Sequence, residues 1–242
     1  MNDSSSEIKY IVDRFAKNGL HIDDDQSEQL FQYYSMIVEK NKMVNLTAIT
    51  EFKEVVDKHF IDSAILIKYI DLKGKSVIDV GTGAGFPGIP LKILCPEMKL
   101  TLLDSLRKRI DFLNEVMDEL NLKNIEAIHS RAEELANKSE YRESYDVVVS
   151  RAVSNLSTLS EYCLPFLSIN GRFFSYKSAK ASQEISEAKN AIALLGGKIV
   201  NDHIVTLEGT DYDRVLIEIQ KISNTPKKYP RTGNKPSSNP IR

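Results

Sequence analysis

Val77-Ile78-Asp79-Val80-Gly81-Thr82-Gly83-Ala84-Gly85 passes from a short apolar run into three glycines at alternate positions, and Phe86-Pro87-Gly88-Ile89-Pro90 follow. The apolar run has the length and composition of a buried strand. The glycines let the backbone turn tightly and approach a ligand closely. Pro87 and Pro90 are tolerated near a helix start. The stretch therefore predicts a strand, a tight turn and a helix in that order, a context in which glycine spacing carries chemical meaning.

Downstream the pattern repeats. Leu100–Asp104, Ile125–Ile128, Tyr145–Ser150 and Arg172–Tyr176 are further apolar runs. Between them lie amphipathic segments at Pro90–Leu94, Arg107–Leu120, Ala132–Ala136, Leu156–Leu167 and Ser182–Leu195. Strands that are apolar on both faces and alternate with helices predict a doubly wound α/β fold with a parallel sheet. The last two strand-like runs, Lys198–Leu207 and Asp211–Ile222, flank the short turn Glu208-Gly209-Thr210. They predict an antiparallel hairpin that finishes the sheet with an antiparallel edge strand. Seven strands are expected in all.

Upstream, residues 7–70 read as helical. Ile8, Ile11, Val12 and Phe15 recur at helical spacing, as do Leu30, Tyr33, Tyr34, Ile37 and Val38. A third helix is expected around Val55–Ile65, and Asn45-Leu46-Thr47-Ala48-Ile49-Thr50 reads as a loop. The expected organisation is a helical extension over 1–72, an α/β domain over 73–222 and a basic tail over 223–242.

Composition sets outer limits. The 242 residues are 42% hydrophobic and 27% charged, which suits a globular protein. A formal charge of −2 means that any affinity for nucleic acid must come from local charge. Cys95 and Cys163 have no metal-ligand spacing, so no metal is expected. Cys163 lies in an apolar pattern and reads as an inert buried thiol. The acidic start Met1–Glu7 lacks signal-peptide character, and no apolar run is long enough to span a bilayer. A cytoplasmic protein with no membrane partner is expected, a monomer by default.

The chemistry follows from two acids. Asp104 closes the second strand, where a carboxylate can accept hydrogen bonds from both ribose hydroxyls of a nucleoside. That pairing fits nicotinamide and S-adenosylmethionine alike. Asp79 discriminates, because a fixed carboxylate beside the turn would repel a pyrophosphate. S-adenosylmethionine carries an ammonium and a sulfonium instead, which a carboxylate can help orient. Gly85 also arrives one residue too early for the dinucleotide spacing. A glycine turn that serves only packing is the plainer alternative.

The acceptor is less constrained. No Asn/Asp-Pro-Pro-aromatic run follows Tyr145–Ser150, and no Pro-Cys is present to attack a pyrimidine ring. A nitrogen such as guanine N7 carries its own lone pair and needs alignment rather than a strong base. Strand ends place Ser150, Arg151 and Lys177 toward the acceptor. Arg151 can hold an RNA phosphate, a guanine edge or a cofactor carboxylate, or form a surface ion pair. Lys177 has the same alternatives. His59 and Asp62 lie one helical turn apart, either lining the site or pairing on a helix surface. Beyond Glu218 there is no acid, and Lys227, Lys228, Arg231 and Lys235 with Tyr229 suit a phosphate backbone or a solvated tail.

The stretch Asp79–Leu91 resembles the bacterial small-subunit rRNA guanine-N7 methyltransferases, also called glucose-inhibited division protein B. Leu103–Ile110, Ser130–Glu133, Ser150–Ala152, the Asn45–Thr47 loop and His59-x-x-Asp62-Ser63 are similar to their other motifs. The resemblance implies a Rossmann-like class I methyltransferase fold that uses S-adenosylmethionine and releases S-adenosylhomocysteine. It implies transfer to N7 of a guanine in the 530 loop of 16S rRNA, position 527 in RNA numbering, on the RNA, the 30S subunit or an assembly intermediate. It implies cofactor contacts from Gly81, Gly83, Gly85 and Phe86, with Asp104, Ser105 and Leu106 around the adenosine and Ala132 and Glu133 beside the adenine. Arg151 closes the site, with Lys177 and the tail toward the RNA. After Arg231 the chain departs from the family pattern, which carries more basic residues and a Pro-Leu ending. Two other functions remain open on the residues alone, a nicotinamide-dependent reductase and a non-catalytic ribosome-binding protein.

Overall fold

The computed structural model describes residues 3–151, 154–178, 181–210 and 213–242. Ala152 and the Asp211 start of the last expected strand lie outside the described residues. Strands β1 (Ser76–Val80), β2 (Lys99–Asp104), β3 (Ile125–His129), β4 (Tyr145–Ser150), β5 (Leu167–Ser178), β6 (Gly197–Thr206) and β7 (Asp213–Lys221) form one sheet. Its order is β3-β2-β1-β4-β5-β7-β6. β1 to β5 are parallel, and β7 is antiparallel to both of its neighbours.

Side-chain alternation divides the core between the two faces of the sheet. Val77 of β1 and Val147 and Val149 of β4 face one cluster, which also holds Tyr33, Phe60, Phe86 and Leu113. Ile78, Val80 and Val148 face the other, with Leu156, Leu159, Phe166 and Ile192. The helices Gly88–Leu94 and Arg107–Glu119 cover the first face, and Leu156–Cys163 and Ser182–Leu194 the second.

The N-terminal helices Asp3–Lys17 and Asp24–Asn41 lie within the first cluster. Asp23 begins the second of them with a reciprocal capping box to Gln26. The third helical segment is irregular. A turn at Phe52–Val55 runs into a π-helical stretch, Val56–Ile61, and then through Asp62–Ala64 to a 3-10 turn at Ile65–Lys68. Such widened turns are frequent at functional sites, and this one carries His59.

Three expectations are corrected by packing. The antiparallel strand is not the sheet edge, because β7 lies between β5 and β6. Val215, Leu216, Ile217 and Ile219 of β7 are all buried, so it needs cover on both sides, while β6 carries the exposed Lys198, Asn201 and Asp202. The helix expected over Leu156–Leu167 stops at Cys163, since Pro165 cannot donate to a continuing helix. The tail is bound to the body rather than free. Arg231 makes a bidentate ion pair with Glu161, whose side chain is wholly buried. Arg142 donates to the carbonyls of Thr225 and Tyr229, and Thr158 donates to that of Pro236. Among the described residues, no helix is long and apolar enough to cross a membrane.

Candidate functional site

β1 is flanked by β2 on one side and β4 on the other, so the chain reverses its winding there. In open parallel sheets that reversal leaves a crevice outside the carboxyl ends of the strands. A cavity of about 460 Å³ lies at this point, within the range of ligand pockets. Its wall includes the Gly81–Ala84 turn, Phe86, Asp104, Ser105, Arg109, Ala132, Glu133, Arg151 and Tyr162, together with Leu46, Thr47 and His59 from the helical extension.

The turn is held from below. Gly81 and Thr82 donate their amides to the Leu103 carbonyl at 2.9 and 3.1 Å. Gly81, Gly83 and Gly85 all have positive φ, a region that suits glycine. Three other amides of the turn are spent inside the protein, Gly83 donating to Asp104 and Gly85 and Phe86 to the Thr82 carbonyl. Asp79 does not line the cavity. Its fully buried carboxylate braces the turn, accepting from the Thr82 hydroxyl at 2.7 Å and the Gly88 amide at 2.9 Å. Burial raises its pKa to about 7, although these two donors pull it down. The other oxygen, Oδ1, has no hydrogen-bond partner among the described residues. Gly85 also faces inward, and a Cβ there would lie 2.6 Å from the Tyr33 hydroxyl oxygen. That hydroxyl donates to the Ala84 carbonyl at 2.6 Å, so the helical extension holds the turn directly.

On the β2 and β3 side the wall has the shape of a nucleoside site. Asp104 accepts from the Gly83 amide at 2.9 Å, the Leu106 amide at 2.9 Å and Arg109 at 3.1 Å. Leu106 reaches the site only through that amide, and its side chain is exposed. Glu133 is buried and held by Arg131 at 2.5 Å. Ala132, Leu159 and Tyr162 supply an apolar and aromatic surface nearby. The fit to S-adenosylmethionine rests on this donor set: a carboxylate for a ribose and an apolar slot for a base.

On the β4 side stands a cluster that the sequence spacing does not reveal. Arg151 donates to the Lys58 carbonyl at 3.0 Å, Asp62 at 3.0 Å and His59 Nδ1 at 3.1 Å. It lies 4.9 Å over the Phe86 ring, and His59 stacks on the same ring at 4.4 Å. Asp62 is fully buried and also receives two hydrogen bonds from Arg214 of β7, at 2.8 and 3.1 Å. His59 and Asp62 are therefore an interior pair, not a helix-surface one. Burial lowers the His59 pKa to about 3, with Arg151 adding to the shift, so the ring is neutral. Lys177 points elsewhere. Its ammonium bonds the Ser154 carbonyl at 2.5 Å and pairs with Glu184 at 2.9 Å, and it does not line the cavity.

Residues 26–213 match the family model described as rRNA small subunit methyltransferase G. The chain is 50% identical over 224 residues to the ribosomal RNA small subunit methyltransferase G of Lachnoclostridium phytofermentans, covering 92% of this chain and 93% of that one. It is also 50% identical over 238 residues to the protein of the same name from Alkaliphilus metalliredigens, covering 98% and 100%. Among solved structures, M. jannaschii TYW2 in complex with AdoMet matches with a TM-score of 0.54 at 17% identity, over 67% of this chain and 76% of that one. The Methanococcus jannaschii fibrillarin pre-rRNA processing protein matches with a TM-score of 0.51 at 18% identity, over 66% and 74%. These two likenesses are of fold.

Proposed function

The chain belongs to the rRNA small subunit methyltransferase G family, and from that premise we propose that it methylates N7 of a guanine in the 530 loop of small-subunit rRNA. When bound, S-adenosylmethionine supplies a methyl group on a sulfonium, and transfer to a nitrogen lone pair leaves S-adenosylhomocysteine without loss of a proton from the acceptor. In this reading Asp104 holds the ribose, Ala132 and Glu133 flank the adenine, and the Gly81–Gly83 backbone approaches the amino-acid portion. Asp79, Gly85 and Phe86 keep that backbone in place. Arg151 fixes the roof over the reacting centre, and Lys177 acts one step away by tying Ser154 to the Ser182–Leu194 helix.

One observation carries the choice of acceptor atom. Among the described residues, the β4 half of the cavity offers no group able to take a proton. His59 is neutral with a pKa near 3, and both its ring nitrogens are engaged. Asp62 is occupied by two arginines. An amino or carbon acceptor would need such a base, whereas guanine N7 attacks with an existing lone pair. The test is methyl transfer from labelled S-adenosylmethionine to small-subunit rRNA and to 30S subunits, both from cells lacking the modification. Label recovered as 7-methylguanosine supports the reading. Label recovered at an exocyclic amine or a ring carbon rejects it.

A further inference from the structure

We propose that the Thr47 hydroxyl is a one-way hydrogen-bond donor that reads the O6 of the acceptor guanine and so aligns N7 for attack. This rests on the reading of the acceptor given above and adds the residue that selects it.

Thr47 lies in the loop between the second and third helical segments and lines the cavity. Two groups converge on its Oγ1. The Ile49 amide donates to it at 3.1 Å, and His59 Nε2 lies 2.9 Å away. The direction of the second contact is set by what surrounds the ring. A guanidinium can only donate, and Arg151 Nη2 meets His59 Nδ1 at 3.1 Å. Nδ1 must therefore carry the lone pair. The opposite tautomer would set an N–H against an arginine N–H. The Lys58 carbonyl, 3.1 Å from Nδ1, would accept from a protonated Nδ1, but it already takes Arg151 Nη1 at 3.0 Å. With Nδ1 bare, the ring proton is on Nε2 and points at Thr47. Because the imidazole is neutral, it holds one proton only, and this tautomer is the one that lets Arg151 Nη2 donate to the ring.

Both lone pairs of Thr47 Oγ1 are thus filled by incoming N–H groups. The hydroxyl hydrogen is left over, and among the described residues no acceptor for it is found. An ordinary threonine hydroxyl turns to donate or accept as its neighbour requires. This one cannot accept. The Leu46–Thr47 backbone is itself fixed by Asn41, whose side-chain oxygen accepts both amides at 2.8 and 3.1 Å.

A donor held in this way discriminates between purines. Guanine presents two acceptors side by side on its major-groove edge, N7 and O6, while adenine places an amino donor beside N7. Thr47 donating to O6 would leave the N7 lone pair directed past it, whereas an adenine would meet donor against donor. The hydroxyl takes no part in bond making. It orients the base, and Thr47 is a positioning residue in the sense that the proton inventory of His59 and Arg151 dictates its role.

The test is a two-by-two comparison of initial methyl-transfer rates at subsaturating RNA. The protein is wild type or Thr47→Val, and the small-subunit RNA carries either guanosine or 2-aminopurine, which keeps N7 and lacks O6, at the target. Loss of one hydrogen bond predicts that Thr47→Val lowers kcat/KM about tenfold on guanosine. On 2-aminopurine RNA the two proteins should be equal within about twofold, because the partner atom is gone. Thr47→Ser, which restores the hydroxyl, should recover the wild-type rate on guanosine. Calorimetric binding of S-adenosylmethionine shows that each variant is folded. Equal rates for wild type and Thr47→Val on guanosine, or the same loss on both RNAs, overturn the role of Thr47 while leaving the methyltransferase reading intact. Absence of methylation by the wild-type protein overturns both.

Discussion

Asp104 and the pair His59 and Asp79 show how much chemistry single side chains carry. Asp104 receives three donors, two backbone amides and the partly exposed Arg109 side chain. Hydrogen bonds to a charged acceptor are the strong ones, so Asp104→Ala should weaken S-adenosylmethionine binding by roughly 10- to 100-fold by titration calorimetry. Affinity within twofold of wild type would remove Asp104 from the site. The other two residues oppose each other in pH dependence. The His59 value is depressed from 6.5 to about 3, so its contribution to stability is complete above pH 6.5 and is lost as pH falls toward 3. The Asp79 value is raised from 3.8 to about 7, so its contribution is complete below pH 3.8 and is lost as pH rises toward 7. Between about pH 4.5 and 6 each alone has a slope of about 1.4 kcal/mol per pH unit, and the slopes cancel. Removing either should unmask the other. Relative to wild type, His59→Gln should lose stability as pH rises through that window, and Asp79→Asn should gain it, in urea titrations. Two variants with the wild-type slope would show that these protonation states are wrong.

At the level of elements, the glycine turn and the tail are each locked by a partner distant in sequence. Gly85 has φ +108°, and a Cβ there would lie 2.6 Å from the Tyr33 hydroxyl, 2.7 Å from Ile89 and 3.0 Å from Leu113. Neither backbone strain nor overpacking can be relieved without moving the helix that braces the turn. Gly85→Ala is expected to destabilise the protein by about 3 kcal/mol in urea melts, with cofactor affinity falling alongside. The tail depends on Arg231 and Glu161. Arg231→Ala would leave a wholly buried carboxylate without its counter-charge, a loss of about 3–5 kcal/mol. If that variant instead keeps wild-type stability and loses only RNA affinity, Arg231 serves the RNA and not the fold.

For the whole molecule the decisive feature is that the helical extension has no core of its own. Tyr33 stacks on Phe60 at 5.7 Å and lies 5.5 Å from Phe86 of the glycine turn, and all three belong to one continuous cluster with the sheet. The same extension delivers Leu46, Thr47 and His59 to the cavity, with Asp62 buried behind them. A fragment spanning 73–242 would expose Phe86, Ile89 and Leu113, so it should unfold without a cooperative transition and lack near-ultraviolet circular dichroism. A fragment that melts cooperatively and binds S-adenosylmethionine would mean that the extension is a separate domain.

Local signals were enough for the strand-glycine-helix order, the alternation of elements and the position of Asp104 at a strand end. Each of these depends on residues a few positions apart, where strand geometry and glycine backbone freedom act directly. The family resemblance pointed to the Asn45–Thr47 loop and to His59 and Asp62, but it did not show what they touch. Those contacts join Thr47, His59, Arg151 and Arg214 across more than 150 residues of chain, and no periodicity encodes them. The same holds for charge. Asp79, Lys177 and Arg231 each looked available to a ligand in the linear chain, yet folding gave Asp79 to the turn, Lys177 to Ser154 and Glu184, and Arg231 to Glu161. A buried ionic group must be partnered inside the protein, and which partner it finds is settled only when distant segments pack together.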